Sequence, residues 1–264
     1  MKTAPTDASG ATTGSTASGA VHAPHAPLPE YYGAEQERTR WVRGLFDRTA
    51  ADYDRVERAM SFGSGSWYRR KALERAGLKA GMRAVDVGCG TGLVTCEAVR
   101  LIGRPELVTG VDPSTGMRGS AVVPAGVELL AGSAETIPLP DATADFLSLG
   151  YALRHITDLT VAFTEFRRVL KPGGRLLILE IIRPANPLLR ALLRLYLGVF
   201  VPLWCRLFAR QAETPRLMRY YWDTIDACVT PAQVMSTLTA LGFIDVSCHR
   251  EGGMFAEIRA RRPE

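Results

Sequence analysis

The stretch Val85-Asp86-Val87-Gly88-Cys89-Gly90-Thr91-Gly92 decides how the rest of the chain is read. Residues 83–87 are a short apolar run with the character of a buried strand, the glycines turn the chain, and a helical pattern follows from Leu93 to about Ile102. A strand that enters a glycine-rich turn and then a helix is the start of a βαβ unit. In a doubly wound sheet, ligands bind beyond the carboxyl ends of such strands, near the point where strand order reverses. Glycines there let the backbone approach a ligand without interference from Cβ. The spacing is G-x-G-x-G: Leu93 stands where the dinucleotide fingerprint needs its third glycine, and no Gly-Lys-Ser/Thr follows as in a P-loop. The turn therefore suits a nucleoside ligand that lacks a pyrophosphate.

The same alternation continues outward. Residues 106–111 read as a second strand ending in Asp112, 115–120 as a short helix, 127–131 as a third strand and 145–149 as a fourth. A helix at 160–170 and the stop Lys171-Pro172-Gly173-Gly174 lead to a strongly apolar fifth strand at 175–182. Strands alternating with helices predict an α/β fold with a doubly wound, mostly parallel sheet covered on both faces. Upstream, Trp41, Leu45, Phe46, Ala50, Tyr53 and Val56 recur at helical spacing, and a second helix spans 67–76 after a Ser/Gly turn. Residues 184–228 interrupt the alternation with a helical insert rich in Leu, Tyr, Trp and Phe. A helix at 231–241, with Thr230 as N-cap and Gly242 past its end, restores it. The closing strands, 244–249 and 254–259, are joined by Glu251-Gly252-Gly253, a link tight enough for antiparallel pairing.

The chain has 264 residues, 47% hydrophobic and 22% charged, the profile of a globular protein and enough for one large α/β domain. That domain is expected over 34–264; residues 1–33 read as a disordered tail, because residues 1–30 have almost no large apolar side chain, and His22 and His25 there have no visible metal partners. The net charge of +5, with many arginines in the second half, fits either a solvated helix face or weak attraction to an anionic partner; the small excess favours the former. Five cysteines, odd in number and never in a C-x-x-C pair, suggest neither disulfides nor a metal site, and reduced thiols in the cytoplasm are the simplest account. The N-terminus lacks the basic start and apolar core of a signal peptide. Residues 188–208 approach membrane-span length, but Arg190, Arg194, Pro202 and Arg206 interrupt them, which argues against a transmembrane helix.

Two further pieces support a nucleoside site. Asp112, about twenty residues beyond the glycines and at the end of the second strand, is placed to accept hydrogen bonds from both ribose hydroxyls. Ser133-Ala134-Glu135, after the third strand, is placed to line a base.

These residues resemble class I S-adenosylmethionine (SAM)-dependent methyltransferases: Asp86 through Gly92 their first motif, Asp112 their ribose-binding acid, and Leu170-Lys171-Pro172-Gly173-Gly174 their turn before the fifth strand. The resemblance implies a Rossmann-like seven-stranded sheet with one antiparallel strand at its edge. It narrows further. Phe46-Asp47-Arg48-Thr49-Ala50-Ala51-Asp52-Tyr53-Asp54 is similar to the F-D-x-x-A-x-x-Y-D entry of the ubiquinone/menaquinone C-methyltransferase family. Met60-Ser61-Phe62-Gly63, Trp67-Tyr68-Arg69-Arg70 and Leu153-Arg154-His155-Ile156-Thr157-Asp158 also resemble it, and the likeness is good over about 40–183. It implies SAM as cofactor, held by Asp86, Gly88, Cys89, Gly90, Thr91 and Gly92 at the turn and by Asp112, Pro113 and Met117 after the second strand. Ser133, Ala134 and Gly150 complete the set, with Tyr53 closing an N-terminal lid (34–76). Two departures stand out: His155 replaces the family's Asn, and Pro124-Ala125-Gly126 clips the helix between the second and third strands.

Methyl transfer to the carbon of a hydroquinone-like ring needs the ring hydroxyl deprotonated, so a group poised near neutral pH is expected. His155, in the loop after the fourth strand, is the candidate base or orienting group, with Arg154 stabilising a phenolate. The alternative is that His155 caps or packs against the helix that starts near Asp158. Trp204, Phe208, Tyr220, Tyr221 and Trp222 in the insert are candidates to line an apolar pocket for an aromatic or prenylated acceptor, or simply to form core. The 188–208 segment is also a candidate to rest peripherally on a membrane surface.

The leading expectation is C-methylation of a quinone-like or phenolic ring. Competing readings are a small-molecule O-, N- or C-methyltransferase of secondary metabolism and a SAM-binding module without catalysis. Nucleic acid as substrate ranks low, because Gly150-Tyr151-Ala152-Leu153-Arg154 stands where an amino-methylating enzyme carries Asp/Asn-Pro-Pro-Tyr.

Overall fold

The alternation of short apolar runs and helices assembles into one seven-stranded sheet, in a computed structural model that describes residues 22–33 and 35–264. The strands are β1 (Ala84–Val87), β2 (Val108–Asp112), β3 (Glu128–Ala131), β4 (Ala144–Gly150), β5 (Leu170–Ile181), β6 (Ile244–Glu251) and β7 (Phe255–Arg261). Their order is β3-β2-β1-β4-β5-β7-β6. The first five pair in parallel, and β7 runs antiparallel to both β5 and β6. The antiparallel strand therefore sits one place in from the edge, not on it. Burial explains the placement: β7 carries the buried Ala256, Ile258 and Ala260, whereas no residue of β6 is fully buried.

Helices cover both faces. On one, α2 (Gly65–Arg75) and α3 (Leu93–Ile102) pack Ala72, Leu73, Ala98 and Ile102 against Val108, Phe146 and Leu177. On the other, α5 (Leu159–Val169) and α9 (Pro231–Ala240) bring Phe163, Phe166, Val234 and Leu238 to Leu147, Leu176 and Ile258. Local chemistry sets the helix ends. Asp158 caps α5 by accepting from Thr160 and Val161 N–H, and Thr230 with Gln233 forms a capping box on α9.

A third core belongs to the lid. It joins α1 (Glu35–Met60) to α6 (Pro187–Leu195), α7 (Val201–Phe208) and α8 (Thr214–Ala227). A π-helical turn, Tyr196–Phe200, fuses α6 to α7. Residues 1–21 of the expected tail lie outside the described residues. His22 to Gly33, read from the sequence as part of that tail, lie as a strap on the domain. Pro24 O accepts from Val229 N, His22 O accepts from Leu159 N, and Tyr32 is 4% exposed. The composition count missed how much Tyr31 and Tyr32 bury: Tyr31 packs its ring 5.3 Å from Trp41 and 5.1 Å from Tyr220.

Candidate active site

The carboxyl ends of β1, β2 and β4 open into a cavity of about 680 Å³ that runs on beneath the lid. Its floor is the glycine turn. Gly88 and Gly90 have φ of +64° and +57°, a region that strains any L side chain. A Cβ at Gly88 would lie 2.7 Å from the Cβ of Ala152 in the loop after β4. Both residues thus keep the turn low enough to form a seat.

Asp112 braces that seat. One carboxylate oxygen accepts from Gly90 N and the other from Ser114 N, each at 2.8 Å. Burial raises its pKa, while the two N–H groups pull it back down. Two bonds leave lone pairs for a diol. Pro113, Met117, Ser133, Ala134 and Glu135 continue the wall.

The lid docks on the loops after β1 and β2 through two acids one heptad apart on α1, neither of them among the site residues expected from the sequence. Asp47 accepts from Ser114 Oγ at 2.5 Å and Gly116 N at 2.8 Å, and Asp54 accepts from Thr91 Oγ1 at 2.5 Å. Their i, i+7 spacing on a helix that also carries Phe46 and Tyr53 is the signal that would have found them.

Of the site residues expected from the sequence, Tyr53, Gly88, Cys89, Gly90, Thr91, Asp112, Pro113, Met117, Ser133, Ala134, Gly150 and His155 line the cavity together. Three do not. Asp86 is buried below the turn, accepting from Thr95 Oγ1 at 2.6 Å and Ser148 Oγ at 2.8 Å. Burial pushes its pKa up to about 6, against those two hydroxyls. Gly92 is the left-handed N-cap of α3. Arg154 is fully buried behind the cavity wall, ion-paired with Glu180, its guanidinium 3.9 Å from the Tyr221 ring centre. Burial opposes its charge, but Glu180, Tyr221 and Tyr53 outweigh burial and hold it protonated.

His155 does not cap α5, since Asp158 does. Its ring stacks on Tyr220 at 5.6 Å and meets Phe46 edge-on at 5.1 Å. Nδ1 lies 3.3 Å from the Tyr220 hydroxyl, and Nε2 is buried without a hydrogen-bond partner. Burial, followed by the charges of Arg154 and Arg38, pushes its pKa well below the ordinary histidine value, so the ring is neutral. Nor is His155 alone in the folded body: His25, in the strap, is 4% exposed and its Nε2 lies 3.1 Å from Arg154 O. Arg38 donates to the same carbonyl at 2.7 Å.

Of the aromatics expected from the insert, Tyr221 alone reaches the main cavity. Tyr221 lines the cavity, with Tyr196, Leu189, Leu192, Leu193 and Leu197 from the fused helix. Trp204, Phe208 and Tyr220 do not reach it, and Trp222 faces a separate cavity. Tyr151 also lines the cavity, in a left-handed conformation (φ +60°) directly after Gly150. A strained non-glycine residue beside the seat is typical of a functional loop.

A nucleoside seat at the carboxyl edge of a doubly wound sheet, roofed by a helical lid, defines a class I SAM-dependent methyltransferase. The comparisons specify the family: the ubiE/COQ5 methyltransferase family model matches residues 33–259, and the chain belongs to that family. It is 33% identical over 176 residues to a demethylmenaquinone methyltransferase of Staphylococcus aureus (strain MRSA252), covering 65% of this chain and 73% of that one. Among solved structures, a SAM-dependent methyltransferase from Aquifex aeolicus superposes with TM-score 0.56 at 19% identity, covering 79% of this chain and 97% of that one. The [4+2]-cyclase SpnF superposes with TM-score 0.61 at 17% identity, over 92% and 99%. At such identities the superpositions show the shared fold.

Proposed function

We propose that the protein C-methylates the ring of a prenylated hydroquinone, as the name of its Staphylococcus relative suggests for that protein, and that it works in the cytoplasm at the membrane surface. The observation that carries this reading is the continuity of one cavity from the Asp112-braced turn to an apolar chamber under the lid. SAM, when bound, supplies an electrophilic methyl group. Asp112 would hold its ribose, the backbone from Gly88 to Thr91 would seat the rest, and Ser133 and Ala134 would border the base.

Around the acceptor, the chain's own groups act on the ring hydroxyl. With Nδ1–H donated to the Tyr220 oxygen, the neutral His155 keeps the lone pair of Nε2 to accept a hydrogen bond from the ring hydroxyl and orient it. The buried charges of Arg154 and Arg38, which keep His155 neutral, also lower the cost of a phenolate, so the ring hydroxyl gives up its proton to solvent. The phenolate raises electron density on the neighbouring ring carbon, which would take the methyl group as the sulfonium S–C bond breaks; that carbon then passes its proton to the ring oxygen and the ring regains aromaticity, one proton in all having left to solvent. The apolar lining excludes water and holds the ring in attack geometry.

Residues Pro187–Phe208 form a continuous helix of 22 residues, apolar and long enough by composition to cross a membrane. One face is already committed to the lid core through Leu193, Leu197, Val201 and Cys205. The opposite face exposes Leu188, Leu192, Leu195, Val199, Leu203 and Leu207. A helix divided this way suits lying on a bilayer, where a prenylated acceptor resides. His155 in place of the family's Asn favours a second reading, a phenolic acceptor of secondary metabolism. Metabolite comparison of a deletion strain with its parent separates them. A quinone lacking one methyl group is expected; an intact quinone pool would overturn the first reading.

A further inference from the structure

A second cavity, of about 380 Å³, lies on the outer side of the lid. Arg194 of α6 and Arg216 and Arg219 of α8 line it from two helices together with Trp222, and the Arg216 guanidinium lies 5.4 Å from the Trp41 ring centre. None of the three arginines is held in an ion pair among the described residues. Two acids share the cavity, Glu30 and Asp223, and Asp223 accepts the hydroxyl hydrogen bond of Tyr31. Three guanidinium groups against two carboxylates leave the site positive. Along the insert, between Glu180 and Glu213, the chain carries four further arginines and no acid, one of them, Arg190, paired with Asp226.

The cavity's position identifies the anion. Val199 lines it and also belongs to the exposed apolar stripe of the fused helix. The site therefore opens at the edge of the surface assigned above to the bilayer. Arginine forks match phosphate oxygens bidentately, and a phosphate with apolar chains beside it is a phospholipid. We propose that Arg194, Arg216 and Arg219 bind the headgroup phosphate of an anionic phospholipid and so fix how the lid lies on the membrane. This rests on the membrane contact proposed above, not on the identity of the acceptor.

The test is flotation of the full chain with phosphatidylcholine vesicles, with and without phosphatidylglycerol, comparing the wild type with an Arg194→Gln/Arg216→Gln/Arg219→Gln variant. Each basic residue at such a surface is worth about fivefold in affinity, so the triple variant should lose roughly a hundredfold on anionic vesicles. Methyl transfer to a detergent-dispersed acceptor should be unchanged. Should the triple variant fail to fold, Arg216→Gln and Arg219→Gln singly carry the test at about fivefold each. Equal binding to both vesicle types, unmoved by the substitutions, would overturn the headgroup site and leave the membrane contact standing. Binding to neither would overturn both. Arginine-dependent thermal stabilisation by inorganic phosphate, in a protein that ignores anionic vesicles, would reassign the cavity to a soluble phosphate ester. Self-association lost in the triple variant, seen by ultracentrifugation, would reassign the surface to a second copy.

Discussion

Replacing Asp112 by Asn tests the seat at its centre. The carboxylate accepts Gly90 N and Ser114 N at 2.8 Å each. An amide can accept only through its oxygen and turns an NH2 towards the other N–H. One brace is lost, at about 1–3 kcal/mol for an unsatisfied buried donor. Relief of repulsion with Asp86 offsets part of that cost, since Asp112 helps to push the Asp86 pKa up to about 6. With Asp112 on the ribose as proposed, two hydroxyls would lose a charged acceptor on binding, and a charge-assisted bond exceeds a neutral one by about 1 kcal/mol. With the misaligned turn included, the loss is roughly 2–3 kcal/mol, or about 30- to 150-fold in Kd. Calorimetry with S-adenosylhomocysteine measures it without turnover, and urea melts confirm that the variant is folded. In the same variant the Asp86 carboxyl should titrate below its wild-type midpoint by carbon-13 NMR. A folded variant that binds within threefold of the wild type would reduce Asp112 to a brace and refute the ribose assignment.

Four further outcomes follow from the geometry. His155 has a folded pKa below its unfolded value, so the unfolded chain binds the extra proton as pH falls through about 6.5. Wild-type stability should therefore fall relative to His155→Gln by about 1.4 kcal/mol per pH unit below that point, and a flat difference between the two melts would contradict a neutral ring. His155→Ala with unchanged turnover would separately remove its proposed catalytic role. Gly88→Ala should cost about 2–4 kcal/mol from positive φ and the contact with Ala152, and Ala152→Gly should restore part of it in a double-mutant cycle; full additivity would show that the two do not touch. Tyr32→Ala should lower stability by about 3 kcal/mol in denaturant melts, and a change within experimental error would mean that the strap does not pack in solution.

Most of the architecture was legible from residues 83–182, because each element there reports on itself. A parallel strand buried on both faces is a continuous apolar run, and a turn with positive φ demands glycine. The α9 boundary was readable from Thr230 and Gly242 for the same local reason. The position of β7 was not, because hairpin pairing leaves open which of two strands meets the sheet; the greater burial of Ala256 and Ile258 decided it. The site divided similarly. Gly88, Gly90 and Asp112 could be named from spacing alone, since their positions follow from the strand ends. Arg154 and Asp86 looked like ligand residues but point into the protein, towards Glu180 and towards Thr95 with Ser148.

What the sequence by itself determined was the order of elements, the glycine seat and the acid beside it, each set by backbone sterics and burial within a few residues. Tertiary structure alone decided the docking of Asp47 and Asp54 on the cofactor loops, the strap from His22 across the loop after β4, and the charge state of His155. These depend on groups far apart in the chain meeting where water is excluded. Burial and the nearby cations of Arg154 and Arg38 set the imidazole's proton affinity, and no local pattern encodes either.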